Sequence, residues 1–371
     1  MPATRRAKAV FGVSRNTLAE IYERLALEGL VVSRQGSGAY VAAPLPQPSV
    51  DAPERRGHPD ARLNPVWLDP LVTRSIGFWA ETADAAGTAG PAVDFRPALV
   101  DWSLFPFDLF RKVSAKQLRA LERRPASLKS PQGNQGSYAL RRALTQHIGL
   151  TRAVVCRPQD VLVTSGAQQA FDLLARTLVI PGKTVVAVED PGYPPLRAAF
   201  LAAGARLAPT PVDGEGLVLD RLPPDATVIC VCPSHQFPLG ATMSQARRRA
   251  LLELARARGA VIVEDDYDGE FRFDDAPIEA LRGADAGDVV FYVGTFSKCM
   301  LPALRLGFVA APQWAMPALV LAKNCQDWHC STPLQLGVAA FIAEGHLARH
   351  VRRMREAYGA RRARILEVLR G

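Results

Sequence analysis

The sequence predicts an α/β protein: a mainly parallel sheet covered by helices, preceded by a small helical module that ends in a hairpin. Three observations carry this expectation. From about residue 91 onward, apolar runs of strand length alternate with helical patterns, as in sheets built through crossover helices. Residues 1–43 make a separate compact pattern with six basic and three acidic side chains. Between them, residues 44–90 carry Pro44, Pro46, Pro48, Pro53, Pro59, Pro65 and Pro70. Proline cannot donate to helix or sheet ladders, so this stretch reads as a linker in which Trp67-Leu68 and Phe78-Trp79 could dock on a neighbour.

The 371 residues allow two or three domains, and 48% apolar with 22% charged residues excludes a mainly disordered chain. No run of about 18 apolar residues suggests a membrane span, and Met1–Arg6 lacks the apolar stretch of a secretory signal. A formal charge of +9 is compatible with a nucleic-acid partner. The six cysteines show no paired CxxC spacing and read as reduced thiols of a cytoplasmic protein without a metal site.

In the N-terminal module a short helix is expected over Arg5–Phe11, with a turn at Gly12 and Ser14 as N-cap of a second helix. Leu18, Ile21, Tyr22 and Leu25 give that helix one apolar face. Gly29 stops it through a left-handed cap, and residues 30–34 and 39–41 flank Gly36-Ser37-Gly38 as a hairpin. Helix, tight turn, helix and hairpin is the layout of a winged helix-turn-helix. Arg15, Asn16 and Thr17 would lie on the first turn of the recognition helix, where base edges and phosphates of double-stranded DNA are met. Arg5, Ser14, Arg34 and Gly36 complete the expected DNA-binding set. The competing reading of these residues alone is a small structural hairpin with a solvated basic face.

In the large domain, strands are expected at 160–164, 184–188, 227–232, 260–264, 289–293 and 305–310, with helices at 138–148, 167–178 and 244–257. Notable residues follow the strands. Ser165-Gly166-Ala167-Gln168 opens a helix whose free N–H groups and dipole suit a phosphate. Tyr193 follows a Pro-Gly turn, placed to stack on a planar ring. Glu264-Asp265-Asp266-Tyr267-Asp268 puts carboxylates at a strand end, where burial demands a partner. Gly294-Thr295-Phe296-Ser297-Lys298 ends on a lysine whose desolvation would favour imine formation with an aldehyde. Thr295, Ser297 and Arg305 can serve a phosphate. Taken singly, the phosphate turn and Tyr193 read as ordinary loop features. Together the set matches the demands of pyridoxal 5′-phosphate.

Residues 94–371 resemble the large domain of fold-type I pyridoxal-phosphate-dependent transferases. Gly12-Val13-Ser14-Arg15-Asn16-Thr17 and Gly36-Ser37-Gly38 resemble the GntR-type winged helix. The whole chain is similar to the MocR/GabR group of GntR-family transcriptional regulators, most specifically through Pro233-Ser234-His235-Gln236-Phe237-Pro238-Leu239-Gly240. The resemblance implies a partial DNA-binding domain at 1–43, a linker at 44–90 and a C-terminally shortened cofactor domain at 91–371. The family's first DNA-binding helix and its C-terminal small domain are expected to be missing. It implies Lys298 as the internal aldimine, Asp265 at the pyridine nitrogen, Tyr267 on the 3′-oxygen and Tyr193 against the ring. Gly166, Ala167, Gln168, Thr295, Ser297 and Arg305 would surround the phosphate. Phe237 stands where catalytic relatives have asparagine, and Ser130-Pro131-Gln132-Gly133 lacks the tyrosine that relatives use to reach the partner subunit's phosphate.

The expected function is a homodimeric transcriptional regulator that senses an amino compound through the cofactor, without a membrane partner. The alternative is a working aminotransferase with a vestigial extension. A third is a shortened product that binds cofactor poorly.

Overall fold

The computed structural model describes residues 2, 4–34, 38–42, 62–80, 99–123, 133–271, 273, 279–285 and 289–370. They divide into two compact units, Met1–Arg62 and Leu63–Gly371.

The first unit contains α1 (Thr4–Phe11), α2 (Arg15–Leu27) and an antiparallel hairpin of β1 (Val31–Arg34) and β2 (Gly38–Val41). Gly12 takes φ +66° between the helices. The Ser14 hydroxyl accepts from the Thr17 amide at 3.1 Å, the expected N-cap. Gly29, at φ +70°, ends α2. Ala7, Leu18 and Val31 are buried, whereas Ile21 stays 42% exposed. The apolar face of α2 is therefore only half covered within this unit. The hairpin tip Gln35–Ser37, including Gly36, and the prolines from Pro44 to Pro59 lie outside the described residues, as do Ser130-Pro131-Gln132.

The second unit opens with a 3₁₀ turn, Pro65–Leu68, and α3 (Pro70–Ala80). Both prolines stand at a helix start, where no N–H is required. Asn64 caps the turn through the Val66 amide, and Asp69 caps α3 through the Leu71 amide. Proline within the expected linker thus initiates local structure.

There follow α4 (Phe107–Glu122), α5 (Tyr138–Arg152), β3 (Val161–Thr164), α6 (Gly166–Leu178), β4 (Val185–Asp190) and α7 (Pro194–Ala202). Next come β5 (Arg206–Asp213), β6 (Gly216–Leu217), β7 (Ala226–Val231), α8 (Gln245–Arg258), β8 (Val261–Asp266) and α9 (Leu281–Ala284). The chain continues through β9 (Val290–Thr295), β10 (Gly307–Ala310), α10 (Met316–Gln326), α11 (Thr332–Ala343) and α12 (His346–Arg370). The eight strands form one sheet in the order β3-β10-β9-β8-β7-β4-β5-β6.

The pairs β9–β8, β8–β7, β7–β4 and β4–β5 are parallel. Strand β10 runs antiparallel to both β9 and β3, so β3 points the same way as the parallel set. The reason is the short connection: residues 296–306 are too few to return the chain through a crossover helix. Strand β5 was not legible in the sequence because Pro209 and Pro211 interrupt it. The Pro211 carbonyl accepts from the Val218 amide on the β6 side. Both prolines, two residues apart, therefore turn their missing donors away from β4, as sheet proline must.

Helices α6, α7 and α10 contribute to one apolar layer with Phe171, Phe200 and Phe291. Leu251, Leu252 and Ala255 of α8 pack with Ile229 and Ile262 in another. A sheet covered on both faces needs strands apolar on both faces, which is why β3 reads Val-Leu-Val-Thr and is buried throughout. The carboxyl ends of the parallel strands consequently share one edge, and the turns leaving β3, β4, β8 and β9 meet there.

Candidate functional site

The turn from β3 to α6 is the first part of the site. Gly166 takes φ +78°, and a Cβ there would stand 3.1 Å from Arg305 Nη2 and 3.2 Å from its Cζ. Only glycine allows the backbone to turn here with a guanidinium laid against it. Arg305 is held in turn by a hydrogen bond of 3.2 Å to the Ser165 carbonyl. Strand β10, sandwiched between β3 and β9, makes this meeting possible. Thr295 and Ser297, from the end of β9, approach each other with their hydroxyl oxygens 3.0 Å apart. The Ser297 amide donates to Thr295 Oγ1 at 3.1 Å. Ala167 lies in the first turn of α6; the Gln168 side chain donates through Nε2 to the Pro195 carbonyl at 3.0 Å, tying α6 to α7.

Strand β8 ends in three consecutive carboxylates, Glu264, Asp265 and Asp266, all buried. Their partners differ. Glu264 accepts from the amides of Leu281 and Arg282 at 2.8 and 3.0 Å. Asp266 receives Arg152 through Nε at 2.7 Å and Nη2 at 3.1 Å, and the Tyr292 hydroxyl at 2.7 Å. Asp265 Oδ2 has only the Cys232 thiol at 3.7 Å, and Oδ1 has no partner among the described residues. Burial and the neighbouring Asp266 push the Asp265 carboxyl up to about 8. One carboxylate of the three is thus left wanting a cation or a donor.

Lys298 follows β9 and is largely buried. Burial lowers its amine, while Asp268 and Asp265 pull in the opposite sense. Lys298 and Asp268 line one cavity of about 370 Å³ with Phe271, Tyr358 and Arg361. Tyr267, whose hydroxyl is held protonated by burial and by Asp268, meets Phe237 edge-on at 6.3 Å between centroids. Tyr193 leaves β4 and sits in an aromatic cluster: Phe78 at 5.6 Å, Phe237 at 5.8 Å and Phe171 at 6.3 Å, all edge-on.

The structure brings Gly166 and Arg305 into contact, and places Tyr193, Asp265, Tyr267, Thr295, Ser297 and Lys298 at the carboxyl ends of β4, β8 and β9. Tested against pyridoxal 5′-phosphate, they fit: a buried orphan carboxylate oxygen, a partly desolvated lysine, and a helix-opening turn with an arginine against it that a Cβ at Gly166 would crowd. In the first unit, Ser14, Asn16 and Thr17 cluster at the start of α2, and Asn16 and Thr17 are exposed. Arg15 opens α2, Arg5 lies in α1 and Arg34 ends β1.

Sequence reasoning missed three features. Arg152, which neutralises Asp266, lies 114 residues from it, so no local pattern pairs them. His235 binds Asp268 at 3.0 Å across 33 residues. Phe78, from α3, reaches Tyr193; the aromatic pair 78–79 within the proline-rich stretch was the available signal. Among the described residues no cluster of His, Cys, Asp or Glu could hold a metal, and no helix is long and apolar enough to cross a membrane.

Comparison with known proteins gives two family matches: aminotransferase class I and II over residues 105–371, and bacterial regulatory proteins of the gntR family over residues 1–41. The chain is 35% identical to the probable rhizopine catabolism regulatory protein MocR of Rhizobium meliloti, covering 97% of this chain and 71% of that protein. It is 30% identical to the pyridoxine biosynthesis transcriptional regulator PdxR of Corynebacterium glutamicum, covering 100% and 74%. Among solved structures, the kynurenine aminotransferase of Pyrococcus horikoshii superposes with a TM-score of 0.65 at 30% identity, covering 74% of this chain and 69% of that one. The α-aminoadipate aminotransferase LysN of Thermus thermophilus, complexed with N-(5′-phosphopyridoxyl)-L-leucine, gives 0.65 at 31%, covering 73% and 69%.

Proposed function

We propose, because the chain belongs to the MocR-type GntR family, which joins a GntR helix-turn-helix to an aminotransferase class I and II domain, that it is a pyridoxal-phosphate-dependent DNA-binding regulator responding to an amino compound. The observation that carries the cofactor reading is Asp265 Oδ1: buried and unpartnered, at a strand end beside the turn that bears Lys298. When bound, the cofactor supplies an aldehyde on an electron-poor ring, open to exchange between amines.

This chain's residues divide the work of holding it. Lys298 would provide the amine for the aldehyde, and partial desolvation shifts that amine toward its unprotonated form. Asp265 would face the ring nitrogen, whose charge would supply the partner that its Oδ1 lacks. Tyr267 would donate to the 3′-oxygen, and Tyr193 would stack against the ring. The backbone of Gly166, Ala167 and Gln168, the hydroxyls of Thr295 and Ser297, and the Arg305 guanidinium receive the phosphate. In the first unit, the first turn of α2, with Arg15, Asn16 and Thr17, would meet the major groove of double-stranded DNA, and Arg5, Ser14 and Arg34 would complete the DNA-binding set, whose member Gly36 lies outside the described residues. The protein acts as a homodimer in the cytoplasm.

Two measurements test this. Purified protein mixed with pyridoxal 5′-phosphate should turn yellow, and Lys298→Ala should stay colourless; a colourless wild type overturns the cofactor assignment. Gel shifts with upstream promoter DNA should respond to added amines, and sustained turnover of an amino acid with a keto acid, without DNA binding, would favour an enzyme instead.

A further inference from the structure

The largest charge question left in the site concerns Lys298. If, as the reading above has it, Asp265 is committed to the ring nitrogen, an amine released when a ligand takes its place becomes an ammonium in a half-buried pocket. An ammonium there needs a counter-charge. The turn after β8 supplies one. Asp268 lines the same cavity as Lys298. Its Oδ1 lies 3.0 Å from His235 Nδ1, and the two side chains are only 22% and 25% exposed.

The turn that bears Asp268 is fixed from below. The Phe271 amide closes onto the Asp268 carbonyl at 2.8 Å. At Gly269 a Cβ would fall 2.5 Å from the Asp266 carboxylate, which Arg152 anchors. His235 comes from the loop after β7, within the run Pro233-Ser234-His235-Gln236. Gln236 pins that loop with bonds to the Pro191 and Phe237 carbonyls at 2.8 and 2.7 Å. Two separately anchored loops therefore deliver an imidazole and a carboxylate to each other beside one lysine.

We propose that the Asp268–His235 pair is the positioning station for Lys298: Asp268 holds the Lys298 ammonium whenever that amine is not engaged, and His235 fixes the carboxylate for it. On amine exchange the incoming ammonium would form its bond to the aldehyde carbon as the bond from that carbon to the Lys298 nitrogen breaks, and the protons it sheds would pass to the Lys298 nitrogen, which then pairs with Asp268 as an ammonium. The other groups that bear on this pair are known. Lys298 also faces Asp265 from β8, and Arg361, Arg362 and the Tyr358 hydroxyl line the cavity from α12. Burial raises the Asp268 carboxyl most, the His235 hydrogen bond lowers it, and Asp266 and Glu270 add to the rise.

The test uses the cofactor-free full chain. Trace acetic anhydride is applied across a pH series, and acetylation of the Lys298 peptide is read by mass spectrometry against a free amine standard. Asp268→Asn should lower the pH midpoint of Lys298 reactivity by about one unit, since a nearby opposite charge favours the ammonium. Asp268→Glu, which keeps the charge, should return most of it. His235→Asn should shift the midpoint the same way by less. An unchanged or raised midpoint in Asp268→Asn overturns the proposal; if that variant does not fold, an unchanged midpoint in His235→Asn does so. Colour development with pyridoxal 5′-phosphate, measured separately, reports whether the cofactor reading itself stands.

Discussion

Asp265→Asn separates the cost of the site from its use. In the cofactor-free protein Asp265 is buried, with one oxygen unpartnered and its carboxyl raised from 3.8 to about 8. The folded state therefore holds a proton that the unfolded chain releases near pH 4. Between these values each pH unit costs about 1.4 kcal/mol of stability, on the order of 4 kcal/mol by pH 7. Asparagine mimics the protonated carboxyl and does not titrate. Its own buried amide costs roughly 1–3 kcal/mol if left unbonded. The variant should then be more stable than the wild type by about 1–3 kcal/mol at pH 7, with the advantage vanishing between about pH 4.5 and 6 and reversing as pH falls toward 4. Urea denaturation of both cofactor-free proteins, followed by tryptophan fluorescence from pH 5 to 9, gives the difference directly. Saturating pyridoxal 5′-phosphate should narrow or reverse the difference, because the wild type, with its carboxylate at the ring nitrogen, gains more binding energy. A stability difference independent of pH would refute the reasoning, whatever its sign.

Three other perturbations have defined outcomes. Gly166→Ala forces φ +78° on a residue with a Cβ and presses it against Arg305; relaxation of the cofactor-free turn to relieve roughly 1–2 kcal/mol of left-handed strain should weaken cofactor affinity about 5- to 30-fold, measured by fluorescence titration. Arg152→Met leaves Asp266 buried without its cation and should cost about 3–5 kcal/mol in urea denaturation; a loss under 1 kcal/mol would show that Tyr292 suffices. Arg15→Ala should weaken DNA binding and reduce the slope of log affinity against log salt by about one, read by anisotropy; an unchanged slope would remove Arg15 from the phosphate contacts.

Much of the architecture was legible because burial on both faces writes itself as short apolar runs, and β3, β4, β7, β8 and β9 fall within a residue or two of the expected spans. What was not legible is informative. Strand β5 hides behind two prolines whose missing donors happen to face the same side. The reversal of β10 depends on a loop length, not on any residue pattern. At the site, the run Glu264-Asp265-Asp266 offers three equivalent carboxylates to a reader of sequence, and only resemblance singles out the middle one. The fold supplies the physical reason, since backbone amides satisfy Glu264 and Arg152 satisfies Asp266. Long-range pairs such as His235 with Asp268 have no local signature at all.

Phe78 gives the aromatic cluster a reach along the chain. Its ring abuts both Tyr193 and Phe237, and it belongs to α3, the first helix after the N-terminal unit in sequence. Tyr193 thus has one contact committed to α3. A tilt of this tyrosine would have to be met by the phenyl ring, so the position of α3 and the position of Tyr193 are set together.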